Sequence, residues 1–387
     1  MATPAIDLSD LPVVDQHCHA VERAQGQTDP AVWHALFSES PDPGMRARDS
    51  ADTAFYRRLM VAMAEFHGVE PGDERAVLEA RARLTTEDLV SALFRDAGVG
   101  GVVVDTGYPA PDLALPGDRL TAASGAEQVT LLRLELLFQD LVATTASLDE
   151  LTGAVRAALA DVRGAGHAGF KSIVGYRTGL DVERWDAADV QASYAAARAE
   201  ASAAGHVRLG HKPLLDTLLH LAMEAAAAQE LPVQFHVGYG DPDVDLRTAT
   251  PLALRALLEE PAYRAAPVVL LHGCWPYTRE GAYLAAVYPN AHLDLSYAIP
   301  FLSVGEMRAV TRAALGAAPV SKLMYSSDGA RVPELHWLGA RDGRRVLGAC
   351  LAELVEDGDL AARDVEDVAQ RVLSGNTRAL YGMRGAA

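Results

Sequence analysis

Short runs of Val, Leu, Ile and Phe recur along this chain, and most of them stop at a polar or charged residue. Runs of this length, flanked by Gly, Pro, Asp or Asn, read as strands buried on both faces. Eight are predicted: residues 12–16, Val99–Asp105, Val129–Glu135, Gly169–Val174, Pro232–Val237, Pro267–His272, Ala291–Ser296 and Lys322–Asp328. The third is the weakest, because it continues without a break into Leu136–Thr144. Between the runs the spacing of apolar residues turns helical. Helices are predicted over Leu89–Ala97, Leu148–Gly164, Asp186–Ala204, Pro213–Gln229, Pro251–Glu259, Arg279–Tyr288 and Val304–Gly316. Two more, Val332–Ala362 and Asp364–Leu373, close the chain. Strands alternating with helices imply a parallel sheet, and eight of them imply a closed (β/α)8 TIM barrel of the α/β class. The open alternative, a doubly wound sheet, usually carries a glycine-rich phosphate loop after its first strand; none follows here.

One stretch does not fit the alternation. Residues 22–97 are helical in texture, charged, and broken at Pro41–Gly44 and Pro71–Asp73. This is far longer than an ordinary connection between barrel elements. It is expected to be a helical insertion over the mouth of the barrel, within a single domain spanning residues 1–387.

Composition narrows the function. Fifty-two acidic against 34 basic residues leave a net charge of −18, which argues against nucleic acid or an anionic membrane as partner. Three cysteines, Cys18, Cys274 and Cys350, imply no disulfide framework. No apolar run approaches the roughly 20 residues of a membrane span, and no basic region followed by an apolar run opens the chain. The expectation is a cytoplasmic protein acting on a small molecule, with a homo-oligomer left open.

The chemistry lies where the strands stop. His17 and His19, two apart in a strand, project to the same side about 7 Å from each other. Two imidazoles so placed suit a divalent transition metal; a surface loop with two histidines is the plain alternative. Later strands end in Lys171, His236, His272 and Asp328. A single histidine at a strand end is commonly structural, but so many at one pole of a barrel converge as a metal site requires. Cys18 should point away from its neighbours, into the core. Arg177, just past the fourth strand, offers a fork for a substrate carboxylate, unless it is simply a surface arginine. Tyr176, Trp275, Tyr277 and Trp337 are candidate pocket walls. His336, in the expected loop after strand eight, is a candidate for facing the mouth. Asp241 to Asp245 either hold a substrate amine or shape their loop, and Glu135 is a weak candidate for supporting the site. His292 starts strand seven, at the wrong pole, and the remaining histidines lie in helices or linkers.

His17-Cys18-His19, His236, His272 and Ser326-Ser327-Asp328-Gly329 resemble the amidohydrolase superfamily of metal-dependent (β/α)8 barrels. Gly169–Leu180, Gln234–Asp243, Leu293–Ser296 and Pro333–Gly339 narrow the likeness. They resemble the branch associated with glutamine-synthetase-like proteins, which includes the N-terminal domain of FluG-type and nodulin-like proteins. The resemblance implies that His17, His19, His236 and Asp328 bind metal, and that Asp328 is the base that moves a proton from metal-activated water to the leaving group. It implies that His272 is a ligand to a second ion or a donor to the substrate. In two-metal relatives a strand-four lysine is carbamylated and bridges the ions. For Lys171 that reading stays open beside a free ammonium that binds substrate and a buried structural lysine. One or two divalent ions are expected, zinc first, with manganese or iron as alternatives.

These readings lead to a metal-dependent hydrolase of a C–N bond, the amide of a small carboxylated substrate such as a γ-glutamyl amide. A nonoxidative decarboxylase on the same scaffold is the alternative reaction. A catalytically silent barrel serving as a binding module is the alternative of another class.

Overall fold

The computed structural model describes residues 5–384. Eight parallel strands form one sheet in sequence order: β1 (Val13–His19), β2 (Val99–Asp105), β3 (Glu127–Arg133), β4 (His167–Ser172), β5 (Val233–Phe235), β6 (Val268–Leu270), β7 (Ala291–Ser296) and β8 (Leu323–Ser326). The segment leaving β8 closes the barrel on β1. Asp328 donates its backbone N–H to the His17 carbonyl at 3.0 Å, and His19 donates to the Gly329 carbonyl at 2.8 Å. The Ser327 N–H caps the Asp15 carboxylate at 2.9 Å. The fold is thus the expected (β/α)8 barrel.

Five helices separate β1 from β2, in the stretch read as an insertion: α1 (Pro30–His34), α2 (Pro43–Ala47), α3 (Ala54–His67), α4 (Glu74–Arg81) and α5 (Thr86–Asp96). Thr85 caps α5 by accepting the Asp88 N–H, so the helix starts at Thr86, three residues before the predicted Leu89. The others follow in order: α6 (Gly117–Ser124), α7 (Leu134–Thr144), α8 (Leu148–Ala158), α9 (Ala187–Ala204), α10 (Lys212–Gln229), α11 (Arg255–Glu259), α12 (Thr278–Val287), α13 (Val304–Leu315), α14 (Pro333–Asp357), α15 (Val365–Gln370) and α16 (Asn376–Tyr381). Among the described residues, no helix is long and apolar enough to cross a membrane.

Several boundaries differ from the sequence reading, each for a local reason. β1 runs on through His19 because β2 pairs with it as far as Asp105. α8 stops at Ala158 instead of Gly164; Gly166 adopts a φ of 91°, and Asp161 turns back to accept the Gly164 N–H. α14 ends at Asp357, where Gly358 supplies the left-handed cap. β3 is complete by Arg133, so Glu135 lies in the first turn of α7 instead of ending a strand.

β1 carries a bulge. Asp15 pairs with Val102 and Cys18 with Val104, so three steps on β1 answer two on β2. The extra residue turns Gln16 as well as His17 toward the barrel interior, where Gln16 donates to Asp294 at 2.8 Å. It also leaves Asp15 and Cys18 together on the outer side of the strand, since the alternation of side chains resets across a bulge.

Candidate functional site

At the C-terminal rim, side chains from five strand ends meet. His17 and His19 close β1, Lys171 is the next-to-last residue of β4, and His236 follows β5 directly. His272 and Asp328 lie two residues beyond β6 and β8. The backbone bonds that seal β8 to β1 set Asp328 against both β1 histidines. Its Oδ1 stands 3.2 Å from His17 Nε2 and 3.3 Å from His19 Nε2, and its Oδ2 stands 3.2 Å from His272 Nδ1. His236 joins through His272, with 2.8 Å between His236 Nδ1 and His272 Nε2. The Lys171 Nζ is 3.4 Å from His17 Nε2.

The backbone at two of these positions is costly. His272 and Asp328 have φ of 61° and 53°, in the left-handed region. Non-glycine residues persist there when their surroundings over-determine the conformation, a pattern that clusters at functional sites. His272 begins a run of three, with Gly273 at 56° and Cys274 at 52°, and Asp294 secures it by accepting the Gly273 N–H at 2.9 Å.

Electrostatics match the geometry. Burial, with Lys171 beside it, drops the His17 imidazole to about 3. Burial, followed by His272 and Lys171, holds His236 well below its ordinary range. Both are therefore neutral at pH 7, the state in which imidazole ligates. Burial alone would raise the Asp328 carboxyl, but His272, His17 and His19 hold it well below the usual carboxylate range. Burial also pulls the Lys171 ammonium down to about 8. Despite the close approaches, Asp328 Oδ1, His272 Nδ1, His236 Nε2 and His17 Nδ1 have no hydrogen-bond partner. Buried polar atoms are rarely left so. Donor atoms that crowd without aligning as hydrogen bonds suit a cation that collects their lone pairs. Ligand atoms of His17, His272 and Asp328 all lie within 4.8 Å of one another. The set is imidazole and carboxylate, which fits a divalent transition ion.

All of the cluster but the fully buried His17 lines a cavity of about 320 Å³. Tyr176 and Arg177 line it as anticipated. The Tyr176 ring lies 4.2 Å from that of His236, and the Arg177 Nε is buried without a partner. Asp241 and Asp243 also face the cavity while shaping their loop, Asp241 accepting the Asp243 N–H at 2.8 Å. Three of the four expected wall residues, Trp275, Tyr277 and Trp337, do not line it, and neither does His336. Trp275 borders a neighbouring depression and donates to Glu306 at 3.0 Å. Trp337 is fully buried against Asp96. His336 is not in a mouth loop but in the first turn of α14, which starts at Pro333, one residue after the predicted Val332. It lines a separate cavity on the outer side of β1. Cys18 opens onto that same cavity, away from His17, and is buried as expected. Glu135 sits behind β4 and accepts the Ser172 hydroxyl at 2.7 Å.

Two participants escaped the sequence reading. Arg133, at the end of the weak third strand, lines the cavity and grips Asp105 with its Nε at 2.9 and 3.1 Å. The Asp105 carbonyl in turn meets His19 Nδ1 at 3.2 Å. Glu39, from the connection between α1 and α2, also lines the cavity. Burial, then the Asp328 and Asp241 carboxylates, push it up to about 7.

A model of the amidohydrolase family matches residues 174–383. Over 221 residues the chain is 36% identical to the protein fluG of Emericella nidulans. That match takes in 55% of this chain but only 25% of the relative, so the chain spans a fraction of that protein's length. The structure is similar to a candidate metal-dependent hydrolase from Lactobacillus casei, with a TM-score of 0.85, 27% identity and 98% of each chain covered. A uronate isomerase from Thermotoga maritima superposes with a TM-score of 0.69 at 14% identity, over 96% of this chain and 95% of that one. At that identity the likeness concerns the fold alone.

Proposed function

The chain belongs to the amidohydrolase family, and from that premise we propose that it is a metal-dependent hydrolase of the amide bond in a small carboxylated substrate. The observation that supports this reading most is the convergence of His17, His19, His272 and Asp328, with His236 and Lys171 beside them, at one cavity where several donor atoms lack partners.

In this reading His17, His19, His236 and Asp328 hold the ion, zinc before manganese or iron, and His272 joins them where a second ion binds. Bound there, a divalent ion would acidify a water and polarise the scissile carbonyl. Asp328 accepts the proton of the attacking water and returns it to the departing nitrogen. The partner-free Arg177 fork takes the substrate carboxylate. Lys171, at the rim of the ligand set, presents its amine to the substrate or, as a carbamate, to the ions. Tyr176, over His236, walls the site. A γ-glutamyl amide fits an arginine anchor set apart from the scissile bond, and the resemblance to the branch associated with glutamine-synthetase-like proteins suggests that class.

The test is a panel of γ-glutamyl amides and N-acyl amino acids given to enzyme loaded with zinc, manganese or iron. Release of ammonia or amine is expected. Release of carbon dioxide from the same acids, with no amine, would replace hydrolysis by decarboxylation. Asp328→Asn is expected to keep much of its metal while turnover falls by about 10²–10⁴, the usual worth of a positioned proton-transfer group. Wild-type turnover in that variant would remove Asp328 from proton transfer.

A further inference from the structure

A second cluster lies behind the first, across the β1 backbone. The bulge leaves Asp15 and Cys18 on the outer side of the strand, and α14 lays His336 against them. One ligand atom from each of Asp15, Cys18 and His336 falls within 4.8 Å of the other two, and all three residues are buried. The Gly329 backbone lets the ring come this close: a Cβ there would lie 2.9 Å from His336 Cγ.

Two features of this cluster call for a cation. His336 is 2% exposed, and neither of its ring nitrogens has a hydrogen-bond partner. Its Nδ1 lies 3.8 Å from Asp15 Oδ2. A fully buried imidazole ordinarily satisfies at least its N–H. Asp15, 1% exposed, accepts from the Ser327 N–H and hydroxyl and weakly from the His17 N–H. It has no lysine or arginine partner among the ion pairs of the described residues. A buried carboxylate without a cation is costly, and its remaining lone pairs are free to ligate. Cys18 makes only a long contact from Sγ to the Val103 carbonyl, at 3.7 Å.

We propose that Asp15, Cys18 and His336 form a second, thiolate-containing site for a divalent metal ion, zinc above all, distinct from the cluster in the barrel mouth. Thiolate, imidazole and carboxylate together are a zinc donor set. One carboxylate and one thiolate neutralise the ion's two charges, so nothing charged overall is buried. The thiol proton leaves to solvent as the sulfur–metal bond forms. Cys18 and His336 also border a cavity of about 340 Å³, walled by apolar side chains such as Val21, Phe94 and Leu120. That cavity gives the fourth coordination position room for a water or a small ligand.

Cobalt distinguishes the two sites, because the cluster in the mouth contains no sulfur. Metal-free protein titrated with cobalt(II) is expected to develop a near-ultraviolet sulfur-to-cobalt charge-transfer band. Cys18→Ser should abolish that band and bind one equivalent less metal, while the visible ligand-field bands of the nitrogen–oxygen site remain. His336→Gln, in which Cys18 is intact, should weaken or shift the band, and it serves where the serine variant does not fold. A cobalt-saturated wild-type protein without the band overturns the proposal. So does a band that survives Cys18→Ser, which would place the sulfur at Cys274 or Cys350. The outcome is independent of which reaction the first site performs.

Discussion

His292 shows how a single residue's surroundings set its chemistry. It lies near the start of β7, at the pole opposite the candidate site. Burial, and then the nearby Lys322, draws its imidazole down to about 4, whereas an unfolded chain would hold it near ~6.5. Between those values the unfolded state binds a proton that the folded state refuses, so stability rises with pH across that window. The contribution is complete above the unfolded value and is lost as pH falls toward 4. Urea midpoints measured between pH 7 and 4.5 should therefore drop faster for the native protein than for His292→Gln. The difference in slope should be at most about 1.4 kcal/mol per pH unit. Equal slopes would mean that His292 is solvated in the folded state. His17 and His236 refuse protons by the same physics, but at their pole they stand beside His272 and Asp328, in the ligand set proposed above. Which pole a histidine occupies was readable from its place in the apolar run. How its neighbours aim at it was not, because His272 and Asp328 adopt left-handed backbones that no local residue preference announces.

At the scale of elements, the left-handed turn His272-Gly273-Cys274 is the part most dependent on a distant residue. Successive residues in this conformation cost roughly 1–2 kcal/mol each for side chains bearing a Cβ. Asp294 on β7 offsets that cost by accepting the Gly273 N–H, and its other oxygen is held by Gln16 and Ser326. Asp294→Ala should free the turn, let His272 swing, and lower metal affinity by about 10–100-fold, as loss of a ligand's supporting contact commonly does. Asp294→Asn, which keeps an acceptor for the Gly273 N–H, should retain more of it. Competition with a chromophoric chelator measures both, and unchanged affinity in the alanine variant would show that the turn holds itself. The strands themselves were plain in the sequence, since apolar runs such as Val268–Leu270 and Leu293–Leu295 have little choice but burial. Arg133 was hidden because its strand merges into α7 without a polar break. Glu39 was hidden because a connection between two five-residue helices carries no periodicity to say where it folds. Both reach the site through tertiary packing, which the spacing of residues along the chain does not encode.

At the scale of the whole molecule, a buried ion pair ties the helices between β1 and β2 to α14. Arg81, at the end of α4, meets Glu334, in the first turn of α14, with 2.5 Å from Nε to Oε1 and 3.2 Å from Nη2 to Oε2. Gln25 accepts from Nη1 with its backbone carbonyl and from Nη2 with its amide oxygen, and Trp33 places its ring 4.5 Å beneath the charge. Both charged side chains are essentially unexposed, so neither can turn to water if its partner is lost. Arg81→Met alone leaves Glu334 buried and unpaired, and should cost about 3–5 kcal/mol of unfolding free energy. Glu334→Leu alone strands the guanidinium and should cost a similar amount. The double variant removes both charges and fills the space with carbon, so it should recover most of that loss or exceed the native stability. Chemical denaturation of the four proteins measures the coupling. If the two single losses simply add in the double variant, the pair is solvated and does not lock the layers. If the double variant is stable yet turns over poorly, the ion pair serves to fix the register of these helices above the cavity, where Glu39 and Arg46 line the wall opposite the barrel rim. Stability and turnover then separate, because packing area keeps the helices folded while the paired charges decide where they sit.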